Sequence, residues 1–285
     1  MIVVYTRINI KTRILVQRNR NIRKVITPPI IVGDANTTNI QRLPIKRQDP
    51  DHARTDHTNI NLPRQTVKET KASKFEKIEY DTVPKDFKGE TIYIIGGGPS
   101  LKDFDFNRLN GAKTIAINKA VLFYPQADVL YWTDVRFYTW HKNEIDNYKG
   151  LKFSIKTGSQ YSDNIKILKK GKANGLETDP QTLAHGNNSG HAAINLAYHL
   201  GATRIVLLGF DMGNILHNNK MISHFHDGYP TGAASDKMYL DKFIPGFSQL
   251  KSELLALGIT VLNASPYSRL NVFPKITIDQ ALGFS

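Results

Sequence analysis

From about Glu90 onward, short apolar runs alternate with amphipathic stretches. TIYIIG (91–96) is a continuous β-branched and aromatic run, the pattern of a strand buried on both faces. AKTIAIN (112–118), ADVLYWTD (127–134) and LKFSIK (151–156) repeat that pattern. SGHAAINLAYHLGA (189–202) sets Ala192, Ala193, Leu196, Ala197 and Leu200 at helical spacing and stops at Gly201, which predicts a capped helix. RIVLLGFDM (204–212) is the most hydrophobic strand. FSQLKSELLALGI (247–259) predicts a second amphipathic helix that ends at Gly258 and feeds a strand in TVLNAS (260–265). Strands alternating with helices pair in parallel, so the expected fold is α/β: a Rossmann-like, three-layer, open and mostly parallel sheet.

Residues 1–80 have a different texture. Apolar and basic residues alternate over 1–25, and a stretch rich in Pro, Asn, Thr, Asp and Arg follows to about Ser73. Such a composition buries too little surface to offset the entropy of ordering, so it reads as a basic, largely extended N-terminal arm. The expected organisation is therefore an arm over 1–80 and a Rossmann-like domain over 81–285. Charge sharpens this division. Of a net +13, the first 80 residues carry 16 Lys and Arg against 7 Asp and Glu. An arm of that charge either touches an anionic partner, with nucleic acid as the candidate, or lies solvated over the domain. The chain has no cysteine, which removes disulfides and thiol chemistry and suits a reducing cytoplasm, the expected location. No apolar run approaches the length of a membrane span.

Candidate chemistry gathers where the strands end. In open α/β sheets ligands sit beyond the carboxyl ends of the strands. There the first strand runs into Gly96, Gly97, Gly98, Pro99 and Ser100. The glycines permit close backbone approach, Pro99 suits a first helical turn, and free N–H groups with a helix dipole favour an anion. The turn is no dinucleotide fingerprint, since Leu101 replaces the last glycine and Asn118 stands where a ribose acid belongs. It is no P-loop either, because no Gly-Lys-Ser/Thr follows. Asn118, Asp134, Asn188, Ser189 and Asp211 end or precede other elements on the same edge, with Ser189 expected as the helix N-cap. Further on, His217, His224, His226 and Asp227 cluster. Side chains alternate along an extended chain, so His-x-His sets both rings on one side, fit for proton transfer, phosphate contact or a divalent metal. No metal ligand is assigned. His191 reads as structural, and Tyr131, Trp132, Phe137, Tyr138 and Trp140 as core and rim packing.

Taken in order, GGGPSL, the strand end at Asn118, NSGHAAINLAYHLGATRIVLLGFDM, the histidine loop HFHDGYP (224–230) and VLNASPYSRL resemble bacterial sialyltransferases of the lipo-oligosaccharide type. Those enzymes carry a Gly-Asn-Gly-Pro-Ser-Leu turn, a Cys-Asn strand end, a Ser-Gly helix start and a Gly-Ile-Asp strand end. The same order is similar to a broader group that includes bacteriophage proteins with a His-x-His loop, and to archaeal pyrophosphokinases acting on a hydroxymethylpterin. The resemblance covers about 90–285. It implies a nucleotide-sugar donor against Gly96–Ser100, Asn118 and Ser189, a general base at His226 or His224, and Asp211 shaping the floor. Two departures stand out: Gly97 replaces the family's Asn, and residues 212–223 lack the two tyrosines that support the leaving phosphate, for which His217, Lys220 or Tyr229 are possible substitutes.

Three functions remain open on the sequence. The first is a nucleotide-dependent transferase, a glycosyltransferase using a nucleotide-sugar and a His base, of bacteriophage origin. The second is an ATP-dependent pyrophosphokinase-like enzyme, with magnesium at Asp134 or Asp211. The third is a non-catalytic phage assembly protein that binds nucleic acid through its arm.

Overall fold

A computed structural model describes residues 79–155, 161–230 and 234–283. The arm assigned to 1–80, and with it the nucleic-acid contact, lies outside the described residues except for Glu79 and Tyr80.

Each apolar run becomes a strand of one sheet: β1 (Thr91–Ile95), β2 (Lys113–Ile117), β3 (Val129–Trp132), β4 (Leu151–Ser154) and then β5 (Ile165–Ile167). A minor parallel pair, β6 (Lys169–Lys170) and β7 (Thr182–Leu183), precedes β8 (Arg204–Leu208). A hairpin of β9 (Ile215–His217) and β10 (Lys220–Ile222) separates β8 from β11 (Thr260–Asn263). The sheet order is β11-β8-β1-β2-β3-β4-β5, and all six pairings are parallel. The expected α/β, Rossmann-like, three-layer sheet is the observed fold.

The helices in chain order are α1 (Ala120–Phe123), α2 (Val135–Trp140), α3 (Lys142–Asn147), α4 (Ser189–Leu200), α5 (Asp236–Met238), α6 (Gly246–Ala256) and α7 (Ile278–Leu282). One face of the sheet packs Ile92, Ile94 and Leu207 against Ala193, Leu196 and Leu254 of α4 and α6. The other packs Ile95, Leu130 and Leu208 against Val121, Tyr138 and Ala281 of α1, α2 and α7. Burial on both faces explains why the strands read as unbroken apolar runs. The aromatic cluster is packing, as expected: Tyr131, Trp132, Phe137 and Tyr138 are buried, with Trp132 stacked on Tyr138.

Two features were not anticipated. The glycine turn opens a single 3-10 turn, Pro99–Leu101, rather than a helix with a useful dipole. The N-cap of α4 is Asn188, not Ser189. Asn188 holds the extended conformation a cap needs, and its Oδ1 accepts the His191 N–H at 2.8 Å.

Ile94 is fully buried at the centre of the sheet, whereas Leu255 of α6 is 64% exposed. Ile94→Ala should therefore lower the unfolding free energy by about 2–5 kcal/mol, and Leu255→Ala by no more than about 0.5 kcal/mol. Urea denaturation of both variants checks this, and equal losses would contradict the packing described.

Candidate active site

The chain runs from β1 through β5 on one side of the sheet, then returns to place β8 on the other side of β1. Connections leave β1 and β8 in opposite directions, and a crevice opens beyond their carboxyl ends. A cavity of about 330 Å³ lies there, lined by Gly96–Gly98 after β1, Asn118 after β2, Thr133 after β3, and Gly209–Phe210 after β8. Asn188 and Ser189 of the α4 start, with His224 and Tyr229, complete the predicted residues that line it.

The remaining predicted residues sit elsewhere. Asp211 is buried behind the cavity, where its Oδ2 accepts the Ser100 hydroxyl at 2.7 Å and the Ser100 N–H at 3.2 Å. Burial pushes its carboxyl above the usual range, against those hydrogen bonds. Pro99 is buried in the same turn. Asp134 caps α2 through the Arg136 N–H and forms an ion pair with the Arg136 guanidinium at 2.5 Å, away from the cavity lining. His226 lines a neighbouring cavity. Among the described residues no three His, Asp or Glu side chains gather as metal ligands.

Two of the N–H groups of the glycine turn are taken up within the fold. The Gly96 and Gly98 N–H groups donate at 2.8 Å to Leu208 O and Gly209 O, and the Ser100 N–H goes to Asp211. The turn is thus a fitted joint against β8. A Cβ on Gly98 would fall 2.0 Å from Asp211 Oδ2 and 2.5 Å from Gly209 O, so only glycine fits. Asn188, Ser189 and Gly190 at the start of the twelve-residue α4 also line the cavity, and the leading N–H groups of a helix have no intrahelical acceptor, that of His191 being met by Asn188 Oδ1. Thr133 Oγ1 and Ser189 Oγ, both of residues that line the cavity, meet at 2.8 Å.

The histidine loop closes the cavity from above, anchored by the Phe225 N–H donating to Gly97 O at 3.2 Å. Period-two alternation does place both rings on one side. His224 and His226 stack with centroids 4.9 Å apart and 18° between planes, while Phe225 turns into the core. Tyr229 stands edge-on to both rings at 5.1 Å. Lys119 Nζ donates to Gly228 O at 2.9 Å and lies 5.9 Å from the Tyr229 centroid. A Cβ on Gly97 would come within 3.3 Å of His224 Cδ2 and 3.4 Å of His226 Nε2, so a side chain there would press on this loop. Burial, then the Lys119 ammonium, holds His224 below the usual imidazole range. His226 is pulled further, to about 3, by burial and by His224, Lys119 and His141. Burial pushes the Tyr229 phenol up to about 12, offset in part by donors from the Lys119 backbone and the Asn118 side chain.

Sequence reasoning passed over Tyr239 and Phe243, which line the cavity from a π-helical turn, Tyr239–Phe243. Tyr229 and Tyr239 together give the cavity two tyrosines, although residues 212–223 contain none. His217 and Lys220 lie on the β9–β10 hairpin and line neither this cavity nor the neighbouring one. Asn118, Asn187 and Met212, three of the six non-glycine residues with positive φ among those described, all line it. For a side chain such as methionine that conformation is strained, and strain of this kind gathers at functional sites.

No family model matches the chain, and no curated protein matches it. Two solved structures resemble it. One is the sialyltransferase CstII from Campylobacter jejuni in complex with a substrate analogue, cytidine-5'-monophosphate. It is 16% identical over 67% of this chain and 86% of that one, with a TM-score of 0.41. The other is the MAf glycosyltransferase from Magnetospirillum magneticum AMB-1, 14% identical over 69% of this chain and 35% of that one, with a TM-score of 0.48. Neither supplies a residue role for this chain. Among the described residues, no helix is long and apolar enough to cross a membrane.

Six histidines (His141, His185, His191, His199, His224 and His226) have pKa values lowered chiefly by burial. Below about pH 6.5 the unfolded chain then binds more protons than the folded one. Stability is full above that pH and is lost as pH falls towards the folded values, about 4 for His191 and about 3 for His226. Urea midpoints should stay level from pH 7.5 to about pH 6.5 and drop from there to pH 5, and His226→Phe should flatten the decline. A midpoint constant over this window would contradict the burial of these rings.

Proposed function

We infer that the protein is a nucleotide-dependent transferase, and that it moves a glycosyl group from a nucleotide-sugar to a hydroxyl acceptor. The observation that carries the reading is the cavity at the β1/β8 divergence, where residues from four strand ends, the α4 start and the histidine loop meet. Its polarity fits such a donor. The α4 first turn supplies the electropositive side for phosphate, while Phe243 supplies flat apolar surface for a base. Tyr229 and Tyr239, both phenols held in their protonated form by burial, are donors for a leaving phosphate.

His224 takes the role of general base. It lines both the donor cavity and the neighbouring one. Its lowered pKa keeps the ring neutral and able to accept a proton at neutral pH. A hydroxyl held beside it would lose its proton to the imidazole as it attacks the anomeric carbon. The nucleotide then leaves with the bonding electron pair, its phosphate met by the tyrosines and the α4 start. Asp211 acts at one remove, holding the Ser100 turn in register with β8.

Thermal-shift screening of the full chain against nucleotides and nucleotide-sugars tests the reading. At least one nucleotide-sugar should raise the melting temperature and be slowly hydrolysed without acceptor. His224→Ala should lower that turnover by about 10²–10⁴-fold with donor binding retained. If no member of the panel binds, the reading fails.

A further inference from the structure

The histidine loop is fastened at two points. The Phe225 N–H meets Gly97 O after β1, and the far end of the loop, Gly228 and Tyr229, meets the residues that follow β2. There Asn118 adopts a φ of 51°, in the left-handed region, which ends the strand and turns the chain at Lys119 into α1. We propose that Lys119 is a positioning residue, which fastens the histidine loop to the end of β2 and sets its ammonium against the two imidazoles. The tether and the charge are properties of the chain itself, and only their effect on turnover rests on the transferase reading.

Both ends of Lys119 hold the loop. Its backbone N–H donates to the Tyr229 phenol oxygen, where the Asn118 side chain donates as well. Its Nζ donates to Gly228 O at 2.9 Å. One residue thus grips two consecutive residues of the loop, through main chain and side chain. The ammonium also lies 5.9 Å from the Tyr229 ring centroid, within reach of a cation–π attraction. Tyr229 in turn stands edge-on to His224 and His226 at 5.1 Å, so a fixed phenol fixes both imidazoles. Lys119 lines neither cavity, and it acts through the loop rather than on a ligand.

The charge completes the arrangement. After burial, Lys119 is what holds His224 below the usual imidazole range. At His226 burial and His224 come first, with Lys119 and His141 behind them. At His141, between α2 and α3, burial lowers the value, Glu144 raises it and Lys119 lowers it again. No carboxylate offsets Lys119 at His224 or His226: Asp227, next along the loop, is exposed, and Tyr229 and Tyr239 are neutral phenols. A cation beside an imidazole disfavours its charged form, so removing Lys119 raises the pKa of His224 and protonates the base at higher pH. The group that holds the loop over the cavity is thus also the one that keeps its base free to accept a proton.

NMR titration of the histidines in the full chain, native and in three variants, tests this. Lys119→Met keeps the stem and the backbone N–H and removes the ammonium, Lys119→Gln is a milder neutral replacement, and Lys119→Arg keeps the charge and a donor. Both neutral variants should move the His224 titration to higher pH, and Lys119→Arg should leave it close to native. His185, which lies by Lys170 instead, should titrate as before in all three. Amide exchange at Phe225 and Gly228 should quicken about tenfold in Lys119→Met, the worth of one hydrogen bond, and recover in Lys119→Arg, with no change at Ile94 in the core. Where a nucleotide-sugar is turned over, the acid limb of its pH profile should move upward in the neutral variants with donor binding kept. An absence of turnover counts against the transferase reading alone, and the titration still decides this proposal. It is overturned if the His224 titration stays put in both neutral variants, if Lys119→Arg moves it as far, or if exchange quickens across the sheet as much as in the loop.

Discussion

Strands β1 and β8 share a ladder from Thr91–Arg204 to Ile95–Leu208 and then have to part, because β1 continues towards β2 and β8 towards β11 on the opposite side. Everything at the site depends on how that parting is held. Hydrogen bonds from Gly96 and Gly98 to Leu208 O and Gly209 O extend the contact past the last ladder pair. The bond from the Ser100 hydroxyl to Asp211 then closes it. A side chain at Gly98 would occupy the space of Asp211 Oδ2. The glycines serve the joint between two strands first, and any ligand second.

Because the joint uses up those amides and places a buried carboxyl behind them, the electropositive side of the cavity lies across from the glycine turn. The α4 start, capped by Asn188, provides it. The histidine loop rests on Gly97 through the Phe225 N–H, and it divides the crevice into two cavities with His224 in the common wall. One backbone divergence thus sets the donor cavity, its polarity and the partition beside it.

Much of this was legible in the sequence. Strands buried on both faces leave unbroken apolar runs, so TIYII, KTIAI, VLYW and RIVLL could be read directly, and Gly201 marked the end of α4. β5 escaped notice because its three residues, Ile-Lys-Ile, show too short a period at the edge of the sheet. The hairpin had a readable signal: Asn218 and Asn219 both adopt positive φ, as a two-residue turn requires. At the site, residues bound to strand ends were found because the carboxyl edge of a parallel sheet is predictable. Tyr239 and Phe243 were not, since a π-helical turn has no local signature and their arrival at the cavity is a tertiary event. Asp134 and Asp211 were read as ligand contacts, and the sequence could not show that their carboxylates meet Arg136 and Ser100, because a carboxylate at a strand end looks the same whatever it faces.

Hydrogen–deuterium exchange of the full chain, with and without the nucleotide or nucleotide-sugar that stabilises it most, tests the central claim most directly. The account predicts slowed exchange at 96–98, 187–190, 210–213 and 223–229, the segments that border the divergence of β1 and β8. Protection confined to the surface groove around Val121 and Lys149, or no protection at those four segments, would contradict it.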